Sequence, residues 1–164
     1  MKLNLNKNEF YKLLILAERN TSKNPTLPTL SAVLLKTNKN RLVIISTNLE
    51  IAFEGSLPAN VEKEGMVAPP AKTLLSIISS LIDDNITLEG DKGNLKITSQ
   101  TSLVNLKCFS ADEFPVIPKI KKENHLSVPQ EIIIEALRNT IPATAINYTK
   151  PELTSVYIFS QNKS

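Results

Sequence analysis

Few side chains in this sequence are of the types that carry out catalysis, and they lie far apart. There is one histidine, His125, and one cysteine, Cys108, which cannot form a zinc site without several carboxylate ligands. No nucleophile-and-base pattern surrounds His125, so an ordinary surface histidine is favoured over a catalytic one. Cys108 falls in a predicted strand, where a buried thiol is the favoured interpretation. The sequence thus gives no support to zinc-dependent or nucleophilic catalysis.

Two pairs of adjacent carboxylates remain as candidates for acid–base chemistry, Asp83 with Asp84 and Asp112 with Glu113. Each pair falls in a predicted turn, where Asp stabilises the backbone locally. The segment GDKG at residues 90–93 is not a phosphate-binding loop, because no Ser or Thr follows its lysine and no predicted helix begins there. A nuclease or hydrolase would need converging carboxylates or a metal site. We therefore expect no catalytic activity, no cofactor and no metal site.

The length and composition are typical of a globular chain that buries a core. The 164 residues are 41% hydrophobic and 21% charged, with a formal net charge of +3. No apolar run approaches the ~18 residues that span a bilayer, and the N-terminus lacks the pattern of a secretory signal. The single cysteine suits a reducing compartment, so we expect the protein to be cytoplasmic. The mild positive charge permits contact with nucleic acid without arguing for it.

The elements that position these residues are predicted in a fixed order of strand, helix and three strands. Residues 2–6 alternate as a short strand, and residues 6–19 have apolar residues at helical spacing with Asn6 or Asn8 as a cap. The prolines that follow prevent the helix from continuing. The three strands predicted after this helix cover residues 30–36, 41–46 and 49–57.

The same order then returns. A short strand is predicted at residues 65–69, and a helix begins around Pro69 and Pro70, because proline is favoured in a first turn. The predicted apolar face of this helix consists of Leu74, Ile77, Ile78, Leu81 and Ile82. The strands predicted after it cover residues 86–89, 94–99 and 103–109. The sequence therefore predicts an α+β fold in which a β-α-β-β-β unit occurs twice within residues 1–110.

The beginning of the chain returns once more after a linker rich in lysine and proline. Positions 123 residues apart match without a gap over a strand, a helix, a proline turn and a further strand. The matching pairs include Phe10 with Ile133, Leu14 with Leu137, Pro28 with Pro151, Leu30 with Leu153 and Val33 with Val156. We therefore predict a complete domain at 1–115, a linker at 116–124 and the start of a similar, truncated domain at 125–164.

Basic residues lie on the polar sides of the first two predicted helices. The first carries Lys7, Lys12 and Arg19, and the second begins with Lys72 and Thr73. A solvated helix face is one interpretation, and a loose surface that contacts phosphates is the other. Interleaved aromatic residues for base stacking and side chains for groove reading are both missing. Any contact with nucleic acid is therefore expected to be weak and independent of sequence.

Several stretches resemble one known family. MKLNLNKNEFYKLL, PTLPTLSAVLL, STNLEIAFEG, VAPPAKTLLSII and LKCFSADEFPVIP are similar to the first domain of the bacterial DNA polymerase III beta subunit family, the sliding clamps. PATAINYTKPELTSVYIF resembles the start of the second domain of that family. The resemblance implies a DNA-clamp fold, with helices on one face of antiparallel sheets. It also implies a non-catalytic ring of two subunits that encircles duplex DNA and tethers DNA polymerase III.

The resemblance also implies three groups of site residues. The positions that correspond to DNA contacts are Lys23, Asn24, Lys72, Thr73 and Lys150. Val104 and Leu106 correspond to apolar positions that face the neighbouring subunit. Leu153 corresponds to one position of the groove that receives clamp-binding peptides. The expected partners of the full-length protein are therefore duplex DNA, the polymerase, a clamp loader and a second subunit.

One alternative remains open from the residues alone. A stand-alone β-rich module that binds a peptide or ligand would also explain why no catalytic set is found. It would not explain the repeat at an offset of 123 residues. On the clamp interpretation, these 164 residues are an N-terminal piece and are not expected to close a ring by themselves, because a heterologous interface needs its complementary half.

Overall fold

The computed structural model describes residues 1–22, 26–91, 93–118, 127–147 and 150–159. The chain divides into two units, Met1–Pro118 (unit 1) and Lys119–Ser164 (unit 2). The helices and strands described in unit 1 are β1 (Lys2–Asn6), α1 (Lys7–Glu18), β2 (Leu34–Asn38), β3 (Arg41–Thr47), β4 (Ala52–Pro58), β5 (Asn60–Lys63), β6 (Met66–Val67), α2 (Ala71–Ser80), β7 (Asn85–Asp91), β8 (Asn94–Thr98) and β9 (Leu103–Lys107). Within the described residues no helix is both long and apolar enough to cross a membrane.

The start of α1 is fixed by a side-chain cap. The Asn6 side-chain oxygen accepts hydrogen bonds from the backbone N–H groups of Asn8 (2.9 Å) and Glu9 (3.1 Å). These bonds satisfy two of the donors that a helix leaves free at its first turn. Phe10 and Leu14, four residues apart, are fully buried on one side of the helix. The predicted helix and its Asn6 cap are both confirmed.

Two antiparallel sheets form unit 1. The five-stranded sheet has the order β5-β1-β7-β8-β9, and the four-stranded sheet has the order β4-β3-β2-β6. The first strand of each half thus lies in the sheet of the other half, since β1 pairs with β7 and β6 pairs with β2. This exchange joins the two halves of the sequence into one unit, and the α+β fold class is confirmed.

One hydrophobic core lies between the helices and the sheets. Side chains alternate along the strands, so that Leu3 on β1 and Leu88 on β7 face each other in register and are both fully buried. Further fully buried residues of this core are Leu35, Leu42, Ile44, Leu74, Ile78 and Leu95. At the meeting of the two sheets, the Phe109 N–H donates to the Ala68 carbonyl (2.9 Å). Unit 1 therefore has a continuous core shared by both halves.

Three details of the predicted order are wrong. The strand expected at residues 30–36 starts only at Leu34, because Pro28–Ser31 forms a 3-10 helix. The prolyl ring fixes φ at the start of that turn, and the Leu30 N–H closes it on the Leu27 carbonyl (3.0 Å). The strand expected at residues 49–57 starts only at Ala52. The third error is β5, which was not predicted, so that four strands rather than three follow α1.

The predicted apolar face of α2 is also too long. The helix ends at Ser80, and Ile82 lies beyond it and is 87% exposed. Leu81 is buried although it too lies outside the helix. Periodicity placed both residues on the helix face because the first turn-forming residue after the helix is Asp83, three positions beyond its end. The predicted face is therefore correct for Leu74 and Ile78 and wrong for Ile82.

Unit 2 contains one α-helix, α3 (Gln130–Thr140), and the 3-10 helices Ile141–Ala143 and Pro151–Thr154 among its described residues. The predicted third helix is confirmed. Residues 127–147 and 150–159 contain no strand, so the strand expected near Val156 is not formed. A strand needs a hydrogen-bonded neighbour, and these residues supply none. Of the other predicted strand, His125 and Leu126 lie outside the described residues, and residues 127–129 are not in a strand.

Backbone hydrogen bonds recur at the predicted offset of 123 residues. Helix α1 and the 3-10 helix Pro28–Ser31 have counterparts in α3 and Pro151–Thr154. The matched bonds are Ser22 N to Leu30 O and Ala145 N to Leu153 O, both 2.9 Å, and Leu30 N to Leu27 O and Leu153 N to Lys150 O, both 3.0 Å. Unit 2 therefore repeats the helix and the 3-10 turn of unit 1, with the same backbone hydrogen bonds at the turn.

Ser46 and Thr47 on β3 give a matched test of buried hydroxyl groups. Ser46 is fully buried, and its hydroxyl has no partner among the described residues, whereas the Thr47 hydroxyl donates to the Ile51 carbonyl (2.8 Å). We expect Ser46→Ala to leave the free energy of unfolding unchanged or to raise it by up to about 1 kcal/mol. Thr47→Ala is expected to lower it by about 1–2 kcal/mol. Urea unfolding followed by circular dichroism measures both, and a large loss for Ser46→Ala would contradict the prediction.

Candidate functional site

Helices α1 and α2 of unit 1 contact each other and turn their polar sides to solvent. Phe10 and Leu14 of α1 and Ala71, Leu74 and Ile78 of α2 are fully buried, which fixes the orientation of both helices. We call the solvent-facing surface of these two helices the helix layer. Its exposed polar residues include Lys12, Arg19, Lys72, Thr73, Ser76, Ser79 and Ser80. The structure thus presents the predicted basic helix residues on one layer, with the exception of Lys7.

Lys7 is engaged within the fold. Its Nζ donates to the carbonyl of Leu81 (3.0 Å), the residue that follows the last turn of α2. Its backbone N–H donates to the Asp84 carbonyl (2.8 Å). A cation at a helix C-terminus also interacts favourably with the helix dipole. Lys7 therefore links the two helices and is not a free phosphate contact. No local sequence signal shows this, because Lys7 and Leu81 lie 74 residues apart.

Lys72 and Thr73 occupy the first turn of α2 and are both exposed. The N-cap position, Pro70, makes no side-chain hydrogen bond to this turn, and the turn carries no acidic residue. The free N–H groups of a helix N-terminus carry partial positive charge that adds to the Lys72 ammonium. Of the predicted DNA contacts that the structure describes, Lys72 thus has the most favourable setting for an anion.

Acidic residues on the same layer reduce its overall positive charge. Glu9 is exposed on α1, and Asp84 follows α2, where its Oδ1 accepts a hydrogen bond from the Asn8 side chain (3.0 Å). Glu18 at the end of α1 is half-buried. Cations and carboxylates alternate here, so the electrostatic attraction for a polyanion is weak.

Asp83 has a structural role. Hydrogen bonds from the side chain of Ser99 and from Thr101 hold the pKa of its carboxyl below the usual range. The Thr101 N–H and hydroxyl both donate to Asp83 Oδ2, at 3.1 and 2.8 Å. The ionised carboxylate thus fixes the turn between β8 and β9. This arrangement favours the predicted turn-stabilising role over general acid catalysis.

Cys108 is half-buried, and its Sγ lies 3.6 Å from the Leu106 carbonyl. Burial raises the pKa of its thiol to about 11, so the thiol is protonated at neutral pH and is a poor nucleophile. It lines a cavity of about 440 Å³ between β6 and the end of β9. His125 lies outside the described residues. Among the described residues, no three His, Cys, Asp or Glu side chains come together to hold a metal ion.

Strand β9 holds the two predicted subunit-contact residues. Val104 pairs with Ile97 and Leu106 pairs with Leu95, so both side chains lie on the face that turns toward the core. Leu106 is only 8% exposed, and Val104 is half-buried. Among the described strands, β9 pairs only with β8 and so lies at the edge of its sheet. Leu106 therefore packs mainly within unit 1, and Val104 is the more accessible of the two.

Lys150 and Leu153 meet at one cavity of unit 2. Lys150 precedes the 3-10 helix Pro151–Thr154 and lines a cavity of about 300 Å³ together with Leu153, Ala145 and Asn147. Leu153 also lines a second cavity, of about 310 Å³. Leu153 is 56% exposed, whereas Leu30, its counterpart in unit 1, is 1% exposed. The structure thus makes Leu153 an accessible apolar residue in a concave setting. Lys23 and Asn24 lie outside the described residues.

Comparison with known proteins decides the family. Residues 1–118 match the family model described as DNA polymerase III beta subunit, N-terminal domain. The chain belongs to this family. The beta sliding clamp of Synechocystis is 34% identical over 167 aligned residues, which cover 96% of this chain and 43% of that relative. The chain thus spans less than half the length of this relative.

Solved structures of beta clamps have the same fold. Caulobacter crescentus pol III beta superposes with a TM-score of 0.90 at 26% identity, over 100% of this chain and 45% of that one. The Helicobacter pylori beta clamp bound to a DNA ligase peptide has a TM-score of 0.83 at 27% identity, over 93% of this chain and 43% of that one. The resemblance and the DNA-clamp fold predicted from it are therefore confirmed.

The link between Lys7 and α2 can be tested against a free lysine of the same helix. We expect Lys7→Ala to lower the free energy of unfolding by about 0.5–1.5 kcal/mol, because the Leu81 carbonyl loses its donor. Lys12→Ala is the matched control and is expected to change it by less than about 0.5 kcal/mol. Urea unfolding at low ionic strength measures both. Equal effects of the two substitutions would show that the Lys7 hydrogen bond contributes nothing.

Proposed function

We propose that the chain is the first part of a replication processivity factor, a ring-shaped sliding clamp that encircles duplex DNA. The match of residues 1–118 to the family carries this proposal. In this role the protein acts in the cytoplasm without catalysing a reaction. Its partners in full length would be DNA polymerase III, a clamp loader and a second subunit. The stand-alone β-rich module is not favoured, since 96% of the chain aligns with a sliding clamp.

The weak charge of the helix layer supports this function. A ring is held on DNA because it encloses the duplex, so strong phosphate contacts are not needed for retention. Cations interspersed with carboxylates, as on α1, allow the ring to move between equivalent phosphate positions at low energetic cost. Lys72 and Thr73 on α2 are the proposed contacts on the described part of the layer. Lys23, Asn24 and Lys150 are proposed from the resemblance alone.

The proposed domain organisation follows the repeat. Residues 1–115 form the first clamp domain, 116–124 the linker, and 125–164 the beginning of the second domain. The matching hydrogen bonds of Leu30 and Leu153 support the last assignment. Val104 and Leu106 lie on the edge strand β9, and a neighbouring subunit is proposed to pair with this edge and extend the sheet. The half-buried position of Val104 is compatible with such a contact.

A second binding function is proposed for the cavities at Leu153. The two cavities that share this leucine have walls from Thr144, Glu152 and Tyr157 on one side and Asn147 and Lys150 on the other. An exposed leucine between two small concavities is suited to an apolar side chain of a peptide. The Helicobacter pylori structure shows a related clamp holding a DNA ligase peptide. Leu153 is therefore proposed as part of the peptide groove.

DNA binding by the helix layer can be measured from its salt dependence. We expect two short duplexes of unrelated sequence to bind the 164-residue chain equally, with a shallow slope of log K against log salt. Lys72→Ala should make that slope shallower by about 0.9, which is the change for one lost phosphate contact. Lys63→Ala, at an exposed lysine on β5, is the control and should leave it unchanged. A shallower slope for Lys63→Ala and an unchanged slope for Lys72→Ala would place the DNA on the sheet side of unit 1.

The peptide groove can be tested with a synthetic copy of the ligase peptide found in the Helicobacter pylori structure. We expect weak binding, on the order of 1 mM, with amide shifts at Ala145 and Asn147 in an NMR titration. Leu153→Ala should abolish these shifts, because the peptide loses its apolar contact. Ile141→Ala is the control, because Ile141 is 54% exposed and lines neither cavity. Shifts that persist in Leu153→Ala would contradict the assignment.

A further inference from the structure

The turn between β3 and β4, residues 48–51, contains a leucine in a disfavoured backbone conformation. Leu49 has a φ of 78°, in the left-handed region where bulky side chains are rare. Glycine or asparagine adopts this conformation with less strain. Leucine at this position is therefore unexpected from backbone preference alone.

The conformation is held by hydrogen bonds that involve the side chains of the two preceding residues, Thr47 and Asn48. Asn48 Oδ1 accepts from the N–H groups of Glu50 (3.0 Å) and Ile51 (2.8 Å). The Thr47 hydroxyl accepts from the Leu49 N–H (3.0 Å) and donates to the Ile51 carbonyl (2.8 Å). The turn is therefore rigid, and a partner that bound it would not have to order it first.

Packing within the chain does not explain the leucine. Leu49 is 59% exposed and Ile51 is 58% exposed. A leucine so exposed contributes little to folding, although its backbone conformation costs free energy. Strain that is retained without a folding benefit is typical of binding positions. The two side chains form a small, fixed apolar surface at the end of the hairpin.

The charge of the hairpin indicates which kind of partner fits. Glu50 in the turn and Glu54 on β4 are both exposed, and neither forms an ion pair with a described residue. No lysine or arginine occurs between residues 47 and 58. Nucleic acid and anionic lipid are disfavoured by this charge. A protein segment that carries lysine or arginine beside an apolar side chain is complementary to it.

We propose that residues 48–51 form a docking point for a basic, apolar segment of a partner protein. Leu49 and Ile51 are the apolar anchors, and Glu50 pairs with a lysine or arginine of the segment. This contact lies in unit 1 and uses neither the helix layer nor the cavities at Leu153. The inference therefore stands or falls independently of the proposed DNA and peptide contacts.

The test is an NMR titration of the full 164-residue chain with three capped synthetic hexapeptides. One alternates leucine and lysine, the second replaces its lysines by glutamate, and the third replaces its leucines by serine. The first peptide should shift the amides of residues 48–52, and the other two should bind at least about tenfold more weakly. Equal binding of the glutamate peptide, or no shift in this turn with the first peptide, would overturn the proposal.

Two variants separate a binding role of the leucine from a folding role. Leu49→Asn suits the backbone conformation and removes the anchor, so it should weaken the leucine–lysine peptide about tenfold or more. Its thermal unfolding midpoint should stay within about 2 °C of the original or rise. Leu103→Asn removes an equally exposed leucine, 60% exposed on β9, and should not change binding at the turn. A marked fall in the midpoint of Leu49→Asn would show that Leu49 serves the fold, and would overturn the proposal.

Discussion

The pairing of β1 is the interaction on which the rest of unit 1 depends. This strand lies between β5, from the first half of the sequence, and β7, from the second half. Its inward side chains, Leu3 and Leu5, are buried in the core that both halves share. Because β6 crosses to the other sheet in the same way, neither half can complete its sheet alone. The two sheets therefore form only when both halves come together, and the core between them fixes the positions of α1 and α2.

In unit 2 the described residues include no strand pairing, and only its helix and turn are formed. Its helix and its proline turn repeat those of unit 1 down to individual hydrogen bonds, so local sequence is sufficient to form them. Its strand is not formed, although Val156 and Ile158 correspond to the buried Val33 and Leu35 of unit 1. Local signals therefore specify helices and turns, whereas strands depend on distant partners.

This difference between local signals and distant partners also explains which elements and site residues could be predicted from the sequence. The Asn6 cap and the spacing of Phe10 and Leu14 were sufficient for α1, because both signals are local. Strand β5 was missed since its residues are mostly polar and are a strand only through their pairing with β1. At the site, the resemblance to the clamp family led to Leu153, whereas the role of Lys7 arises from a contact across 74 residues that no local spacing encodes.

The two proposed kinds of contact on unit 1 differ in how firmly the structure holds their side chains. On the helix layer, Lys72 is exposed beside a free helix N-terminus, and the cation best fixed in place, Lys7, is bound to Leu81 instead. Exposed side chains in water hold a polyanion weakly, as the proposed sliding contact with DNA requires. In the turn at Leu49, four hydrogen bonds fix the backbone and the apolar side chains project from it. A fixed apolar contact suits a partner that stays in one place, so the proposed sliding and the proposed docking call for opposite degrees of order on the same unit.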